Sequence, residues 1–264
     1  MGRFIVDHLG EVPRLTAAAL GSRVNTSAST VVRFAQALGF EGFPELQISA
    51  KEEHWRLTRD RPAKVERLLP AEAERLLPPP ILPIDQTEVE SSLAADHANI
   101  EDTAWRIDRD EITTVVELIP RADRIVLCGT DQMAFFASYL RHLLMLLDLP
   151  CEVVASPSQE GLARLGRIEA STLLIGFSAG RPHPLVVRAM KLARHRGAST
   201  VALTDASLSE VARLADRHLY YSSNSPSYVR SHTALLALVQ AIAFGVYALD
   251  EPTYADRIKA FRLK

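Results

Sequence analysis

The sequence LTAAALGSRVNTSASTVVRFAQALGFEGFPEL, from Leu15 to Leu46, decides the fold of the N-terminal part of the chain. It predicts two short helices joined by a polar turn, over Ala17–Val24 and Ala28–Leu38. Thr16 and Ser27 precede these helices, and hydroxyl side chains are favoured caps at a helix N-terminus. The stretch therefore reads as a compact pair of helices whose starting points are both defined by the sequence.

The residues between and after the two helices fix the turn and the stop. Asn25 lies in the turn, where Asn tolerates a positive φ angle. Gly39 ends the second helix, and Phe40 can fold back in the way that a Schellman-type stop allows. Leu15 and Leu20 are spaced to form a hydrophobic staple around the first cap.

The second helix has one apolar and one polar face. Val31, Phe34, Ala35 and Leu38 recur at helical spacing and predict a buried stripe. The opposite face carries no carboxylate, since residues 12–40 contain none, and such a helix can enter the major groove without repelling phosphates. An ordinary helical hairpin with a solvated polar face fits the same pattern. The residues predicted to contact DNA are Thr16, Ser27, Ser29, Thr30, Arg33 and Gln36.

The segment Ser27–Leu46 closely resembles the recognition helix and following segment of RpiR/MurR-type bacterial transcription regulators. That family has Ser, two variable residues, Thr-Val-x-Arg-Phe, then Leu-Gly-Phe-x-Gly-Phe/Tyr and Leu, and each of these positions is matched here. The resemblance covers about the first fifty residues and implies binding to a double-stranded DNA operator. The family's N-terminal domain normally begins a few turns earlier, so we expect this chain to lack part of that start.

Composition restricts the partners that the whole chain can have. The 264 residues carry a net charge of −2, so DNA contact has to come from a local patch rather than from a generally basic surface. Cys128 and Cys151 form no motif with each other or with His, which predicts no metal site and no cofactor. Both read as small buried residues of a protein in the reducing cytoplasm.

The longest apolar segment is Thr233–Leu249, and the N-terminus has no apolar stretch long enough for a signal peptide. The segment is near the lower length limit for a membrane span, and Gln240 interrupts it. We therefore expect a buried core or interface helix and no membrane association.

We expect four parts along the chain. The helix-turn-helix domain takes residues 1–57, a Pro-rich linker takes 58–86, and an effector and dimerisation domain with leading helices takes 87–250. A C-terminal tail follows over 251–264. Within the linker the fragment Glu-Arg-Leu-Leu-Pro occurs twice, either as a docking motif or as a local duplication without a role of its own.

Beyond Glu88 the pattern is that of a parallel sheet with crossover helices, because continuous apolar strands alternate with helical segments. The predicted fold class is α/β: an all-α helix-turn-helix domain followed by a doubly wound, flavodoxin-like parallel sheet. The predicted strands are Arg124–Gly129, Cys151–Ala155, Ser171–Phe177, Ser199–Thr204 and His218–Tyr221. The predicted helices are Val89–Arg106, Glu111–Ile119, Met133–Leu147, a short one near Gly161, Leu185–His195, Leu208–Ala215 and Ser231–Leu249.

Residues 107–250 resemble a sugar isomerase (SIS) domain, the usual effector domain of RpiR-type regulators. The best local match is Arg196–Asp205, where the family has Arg-Gly-Ala, a hydrophobic strand and Thr-Asp. Ser209, Ala215-Asp216 and Ser231 match the family pattern as well. The resemblance implies a sugar or sugar-phosphate effector.

Two loops depart from the family pattern. The loop after the first strand is usually Gly-x-Gly-x-Ser, and here it is Gly129–Met133, in which Asp131 would repel a phosphate. The third-strand loop is usually Ser-x-Ser-Gly-x-Thr; Ser178 is retained here, and Arg181 can pair bidentately with an anion.

Because ligands of such sheets bind at the carboxyl ends of the strands, we expect an anionic, oxygen-rich ligand there. The predicted effector-binding residues are Gly129, Thr130, Ser178, Arg181, Thr204, Asp205, Ser209 and Ser231.

Three functions fit these features. The first is a transcription regulator, acting as a homodimer or homotetramer, that senses a sugar-derived metabolite. The second is a SIS-type sugar-phosphate isomerase, which needs a general base such as His183, Glu160 or His232, although none of these lies in a catalytic motif. The third is a ligand-binding SIS protein that has lost DNA contact.

Overall fold

The computed structural model describes residues 1–7, 9, 12–59 and 88–262, in two compact units, residues 1–83 and 84–264. The Pro-rich linker expected over 58–86 lies outside the described residues, apart from its first two positions. Thr58 and Arg59 belong instead to the last helix of the first unit.

In its described residues the first unit is helical, as predicted, and these helices pack around one small core. Its central residues are Leu20, Val31 and Ala35, which are fully buried. The helices are α1 (Gly2–Asp7), α2 (Ala17–Arg23), α3 (Ala28–Ala37) and α4 (Phe43–Arg59), with a single 3-10 turn at Val12–Arg14.

The turn between α2 and α3 is as tight as the sequence indicated. Asn25 has a φ angle of 53°, and the Thr26 N–H donates to the Gly21 carbonyl oxygen at 2.8 Å. A Cβ atom at Gly21 would lie 2.7 Å from the Thr26 carbonyl oxygen, which is too close for any other residue without a shift of the backbone. Gly21 therefore sets how closely the two helices approach.

The end of α3 confirms the predicted stop and corrects one buried position. Gly39 has a φ angle of 93°, and the Phe40 N–H donates to the Ala35 carbonyl oxygen at 3.2 Å, as in a Schellman turn. Leu38, predicted to be buried, is 55% exposed. The turn folds the partly buried Phe40 back against the core instead, so the apolar stripe ends before Leu38.

The second unit is built on a five-stranded parallel sheet with the order β2-β1-β3-β4-β5. The chain runs outward from β1 to β2, and then returns past β1 to add β3, β4 and β5 on the other side. The prediction of a doubly wound parallel sheet is thus confirmed. The strands are β1 (Arg124–Cys128), β2 (Cys151–Val154), β3 (Thr172–Ser178), β4 (Ser199–Thr204) and β5 (Arg217–Tyr220).

Helices cover both faces of the sheet and separate the core into two layers. One layer contains Leu127, Leu140 and Ile242, and the other contains Val126, Leu174 and Met190. The helices of this unit are α5 (Glu88–Arg106), α6 (Arg109–Arg121), α7 (Gln132–Leu146), α8 (Gln159–Gly166), α9 (Pro184–His195), α10 (Glu210–Leu214), α11 (Thr233–Leu249) and α12 (Glu251–Arg262).

Two features near the C-terminus differ from the sequence-based expectation. Helix α11 begins at Thr233 rather than Ser231, because the Ser231 hydroxyl accepts the Thr233 N–H at 3.3 Å from outside the helix. The segment expected as a tail forms α12, and its Tyr254 is buried in the core. Arg257 of α12 also donates to the Leu147 carbonyl oxygen at 3.2 Å.

The apolar helix α11 contributes buried residues to the core, as expected. Among the described residues no single helix is long and apolar enough to cross a membrane. By length and composition alone, Thr233–Leu249 together with Glu251–Phe261 would pass the same test, but the pair is bent by 112°.

Candidate functional site

The face of α3 predicted to meet DNA is turned to solvent. Arg33 and Gln36 are exposed, and in the described part of the chain Arg33 forms no ion pair. Gln36 donates only a long bond, 3.4 Å, to the Glu41 carbonyl oxygen. A guanidinium that points outward from a short rigid helix is suited to bind a phosphate or a guanine edge.

Two of the hydroxyl groups predicted to contact DNA also cap the N-termini of α2 and α3. Thr16 Oγ1 accepts the Ala19 N–H at 3.1 Å, and Ser27 Oγ accepts the Thr30 N–H at 3.2 Å. Ser27 Oγ also lies 2.9 Å from the hydroxyl oxygens of Ser29 and Thr30. A capping hydroxyl still has its hydrogen to donate, so capping and contact with a phosphate are compatible.

A cleft of about 200 Å³ opens at the carboxyl ends of β1 and β3. These neighbouring strands are the ones between which the strand order reverses, and ligands of doubly wound sheets bind at this point. Its lining consists of the loops after the two strands: Thr130, Asp131, Gln132, Met133, Phe177, Ser178, Ala179, Arg181 and His183.

The β1 wall of the cleft is a tight turn into α7. A Cβ atom at Gly129 would lie 2.7 Å from the Met133 carbonyl oxygen, so the turn requires glycine there. Asp131 has φ 52° and ψ −127°, a region that favours glycine, and it stands at the N-cap of α7 without a side-chain capping bond. Its carboxylate is therefore exposed at a helix N-terminus, where a bound anion would otherwise be favoured.

The β3 wall contains the unpartnered hydroxyl of the cleft. Ser178 is 3% exposed, and its Oγ has no hydrogen-bond partner within the part of the chain that the structure describes. Arg181 is exposed and forms no ion pair with any described residue. His183 caps α9, with its Nδ1 accepting the Leu185 N–H at 3.1 Å, so the neutral ring carries its hydrogen on Nε2.

Five of the eight predicted effector-binding residues do not line this cleft. Thr204 Oγ1 accepts the Ala206 N–H at 3.2 Å, and Ser209 Oγ accepts the Ala212 N–H at 3.1 Å. Ser231 donates to Asp96 of α5. Together with Asp205, these side chains serve other parts of the protein. Thr130, Ser178 and Arg181 lie together in the cleft, and Gly129, which precedes Thr130 in the chain, is not one of its lining residues.

Asp205 is 2% exposed and organises the loops around it. Its Oδ1 accepts the Gly180 N–H at 2.6 Å, which holds the β3 loop beside the cleft. Its Oδ2 accepts from Ser223 Oγ at 2.7 Å and from Arg230 Nη1 at 2.9 Å. Asp205 thus holds Gly180 in place and does not line the cleft itself.

The same loop region is tied to α5 through Asn99, which the sequence analysis did not select. Asn99 Oδ1 accepts from Ser222 Oγ at 3.0 Å and from the Asn224 N–H at 2.9 Å, and its Nδ2 donates to the Asn224 carbonyl oxygen at 2.7 Å. Thr103 Oγ1 accepts the Ser222 N–H at 2.8 Å. Residue spacing gave no signal for Asn99, because its partners are far away in the sequence.

Two further titratable groups adjoin the cleft. The Tyr221 hydroxyl donates to the Ser178 carbonyl oxygen at 3.2 Å, and burial raises the pKa of Tyr221 well above its ordinary value. His232 Nε2 lies 3.0 Å from Gln132 Oε1. Burial lowers the pKa of His232, nearby Asp205 acts in the opposite direction, and Arg230 lowers it further.

The two cysteines are buried, as predicted, Cys128 at the end of β1 and Cys151 at the start of β2. Burial raises the pKa of Cys128 and of Cys151 to about 12 in each case. Because the thiolate is the reactive form, neither thiol is suited to nucleophilic or redox chemistry.

Comparison with known families assigns both units. The family model described as "Helix-turn-helix domain, rpiR family" matches residues 3–55, and the SIS domain model matches residues 118–244. The chain thus combines an rpiR-type helix-turn-helix domain with a SIS domain. This RpiR-type protein is accordingly a DNA-binding transcription regulator that senses a sugar-derived ligand through its SIS domain.

Individual relatives agree with this assignment. An HTH-type transcriptional regulator of Providencia stuartii is 25% identical over 224 residues, 84% of this chain and 73% of the relative. The sugar isomerase domain of an RpiR transcription factor from Sphaerobacter thermophilus matches with a TM-score of 0.65 at 26% identity, covering 68% of this chain and 100% of that one. The Vibrio vulnificus NanR protein shares the fold, with a TM-score of 0.60 at 18% identity over 98% of this chain and 88% of NanR.

Proposed function

We propose that this regulator binds a sugar-derived anion in the cleft between β1 and β3, and that the ligand changes its affinity for an operator. It does so in the cytoplasm, as a homodimer or homotetramer, and without catalysing a reaction. A NanR protein of the same fold has been crystallised with ManNAc-6P, so sugar phosphates are a suitable first class of probes.

The unpartnered hydroxyl of Ser178 supports the proposed effector site most directly. A buried hydroxyl without a hydrogen bond is costly, and folded proteins contain few of them. Arg181 lines the same cleft and can form two parallel bonds with a carboxylate or a phosphate. One donor or acceptor deep in the cleft and one cation at its edge suit an oxygen-rich anion.

The groups that could have supplied a general base favour a sensor over an isomerase. His183 lines the cleft, but the lone pair of its Nδ1 already accepts the Leu185 N–H, which leaves its Nε2 as a hydrogen-bond donor rather than a base. Glu160 is paired with Arg164 on α8 and does not line the cleft. Burial lowers the pKa of His232, which makes it a weaker base, and its Nε2 is engaged by Gln132 Oε1 at 3.0 Å.

An exposed aromatic patch supports self-association. Phe135 and Phe244 are 61% and 69% exposed, and they stack on Tyr139 and Tyr247. Gln240 Nε2 donates to the Tyr139 hydroxyl at 2.9 Å, which joins the α7 and α11 parts of the patch. Contiguous exposed apolar surface commonly marks an interface, and a two-fold dimer matches a two-fold operator.

The effector hypothesis can be tested with two coupled measurements. Sugar phosphates, sugar acids and amino-sugar derivatives are screened by thermal shift, because a ligand of the folded state raises the melting temperature with concentration. Any hit is then added to a gel shift, where it should change operator affinity, since coupling between two sites is reciprocal. A hit whose affinity is unchanged in Ser178→Ala and in Arg181→Ala would place the ligand outside the cleft.

The DNA-binding role of Arg33 is tested by Arg33→Ala. If Arg33 binds a guanine edge, the substitution should weaken operator binding by about 1–3 kcal/mol and relax specificity at one base. If it binds only phosphate, all sequences should weaken alike. Lys51→Ala, at an exposed cation of α4, serves as the control. Unchanged affinity of Arg33→Ala for the operator would remove this residue from the interface.

A further inference from the structure

We propose that the cleft selects a sugar derivative that carries a protonated amine as well as an acid group, with the amine paired to Asp131 and the acid group to Arg181. This inference rests on the proposed function, because it names the chemical class of the ligand bound in the same cleft. A plain sugar phosphate would satisfy only one of the two charged walls.

The backbone of Asp131 is the first observation. Its φ of 52° and ψ of −127° lie in a region that residues with a side chain rarely adopt, and a glycine would occupy it without strain. In an SIS-like loop of the pattern Gly-x-Gly-x-Ser, this is the position of the second glycine. The chain thus keeps the backbone of a glycine turn while placing a carboxylate at the edge of the cleft.

The side chain of Asp131 has no structural task that would explain its presence. An acidic residue at an N-cap normally accepts a backbone N–H of the first turn, and Asp131 forms no such bond. It also forms no ion pair with any residue that the structure describes. Its charge stands where the N-terminus of α7 would otherwise attract an anion, so a phosphate placed there would meet like charge.

The opposite wall carries the complementary charge. Arg181, on the loop between β3 and α9, lines the same cleft as Asp131, and the two side chains form no salt bridge with each other. The buried, unpartnered Ser178 Oγ lies at the end of β3, within reach of a ligand that bridges the walls. The cleft therefore presents one acidic wall, one basic wall and a polar group that lacks a partner.

A ligand with both charges neutralises both walls at once. A protonated amine placed beside Asp131 gains a charge-assisted hydrogen bond, and an acid group placed beside Arg181 gains another. A hydroxyl or an acetamide in place of the amine would leave the Asp131 carboxylate without a cation. A site distinguishes two ligands more strongly when one of them leaves a polar group of the site unpaired than when they differ only in shape.

The test compares matched pairs of probes that differ only at the amine. Glucosamine 6-phosphate is compared with glucose 6-phosphate and N-acetylglucosamine 6-phosphate, and 2-amino-2-deoxygluconate is compared with gluconate. We expect the amine to improve affinity by about tenfold in at least one of the two series, as measured by calorimetry on the full chain at pH 7.

The substitution Asp131→Asn removes the charge and retains a residue that tolerates positive φ. It should reduce the preference for the amine to about twofold or less, while the melting temperature of the unliganded variant reports that it is folded. Asp148→Asn is the matched control, because Asp148 has a φ of 55°, is exposed, and follows the opposite end of α7. This control should keep the full preference.

The outcomes separate the inference from the function on which it rests. Equal affinity for the amine and hydroxyl members, or a preference that persists in Asp131→Asn, overturns the inference and leaves a sugar-anion effector standing. Absence of binding by every member, with no effect of any on operator affinity, overturns the inference and counts equally against the proposed effector. Loss of the preference in Asp148→Asn as well would trace it to general electrostatics and also overturn the inference.

Discussion

The carboxyl edge of the sheet has two halves that look alike in sequence and differ in structure. After β1 and β3, Asp131, Ser178 and Arg181 line a cleft without the partners that their chemistry calls for. After β4, Thr204 and Asp205 are buried, and their oxygen atoms accept hydrogen bonds from nearby loops. Both halves consist of polar residues at strand ends, but Thr204 and Asp205 are already paired, whereas Ser178 Oγ has no partner among the described residues.

This difference indicates how a binding edge is distinguished from a supporting edge. A folded protein satisfies nearly all of its buried polar groups, so a buried hydroxyl without a partner that lines a cleft is a candidate contact for a ligand. The Asp205 half is complete in itself, and it holds the β3 loop through the Gly180 N–H. The half after β1 and β3 contains a hydroxyl without a hydrogen-bond partner, and we place the effector there.

The largest effect on stability is expected for Asp205→Ala. The substitution leaves the Gly180 N–H, the Ser223 hydroxyl and the Arg230 guanidinium without their acceptor. We expect a loss of about 2–4 kcal/mol in the free energy of unfolding, below the upper range for buried pairs because Arg230 is half-exposed.

Urea denaturation measures the effect of Asp205→Ala, with Glu210→Ala as the comparison. Glu210 pairs with Lys191 at 2.7 Å on the surface, and such exposed pairs contribute little. If the two variants were equally stable, the buried bonds of Asp205 would contribute no more to stability than an exposed ion pair. The contrast between the β4 half of the sheet edge and the surface would then be wrong.

The next effect is a contrast between Thr204→Ala and Ser178→Ala. Thr204→Ala leaves the Ala206 N–H without its acceptor and should cost about 1–2 kcal/mol. Ser178→Ala removes a hydroxyl that has no partner, so the unliganded protein should be as stable as the wild type or slightly more stable. Thermal unfolding of both variants without ligand measures the two effects. A larger loss of stability in Ser178→Ala than in Thr204→Ala would contradict the contrast between the two halves of the sheet edge.

The smallest effect is the pH dependence that His232 contributes. Burial lowers the pKa of His232 in the folded state, so below about pH 6.5 the unfolded chain binds more protons than the folded one. This contribution to stability is therefore complete above the unfolded pKa and is lost as the pH falls through the folded pKa. Urea unfolding at pH 7 and pH 5 should show a smaller decrease in His232→Gln than in the wild type.

His97→Gln is the matched control for this pH effect, because His97 is exposed on α5. That variant should retain the wild-type decrease between pH 7 and pH 5. A decrease of wild-type size in His232→Gln would assign the pH dependence to other groups.

The elements that the sequence predicted well are those governed by local rules. The caps at Thr16 and Ser27, the positive φ of Asn25 and the stop at Gly39 all follow from interactions within a few residues. The five parallel strands followed from continuous apolar runs between helical segments, since each run had to be buried on both faces. Family resemblance added the identity of the two units.

What only the tertiary structure decided is which polar residues are already paired. Thr204, Asp205, Ser209 and Ser231 stood in the same sequence context as Ser178 and Arg181, at the ends of strands and the starts of helices. Their partners lie on other elements or in the turn that follows, and hydrogen-bond satisfaction depends on how the loops pack. Local sequence determined where these side chains emerge from the sheet, and long-range contacts determined which of them remained available to a ligand.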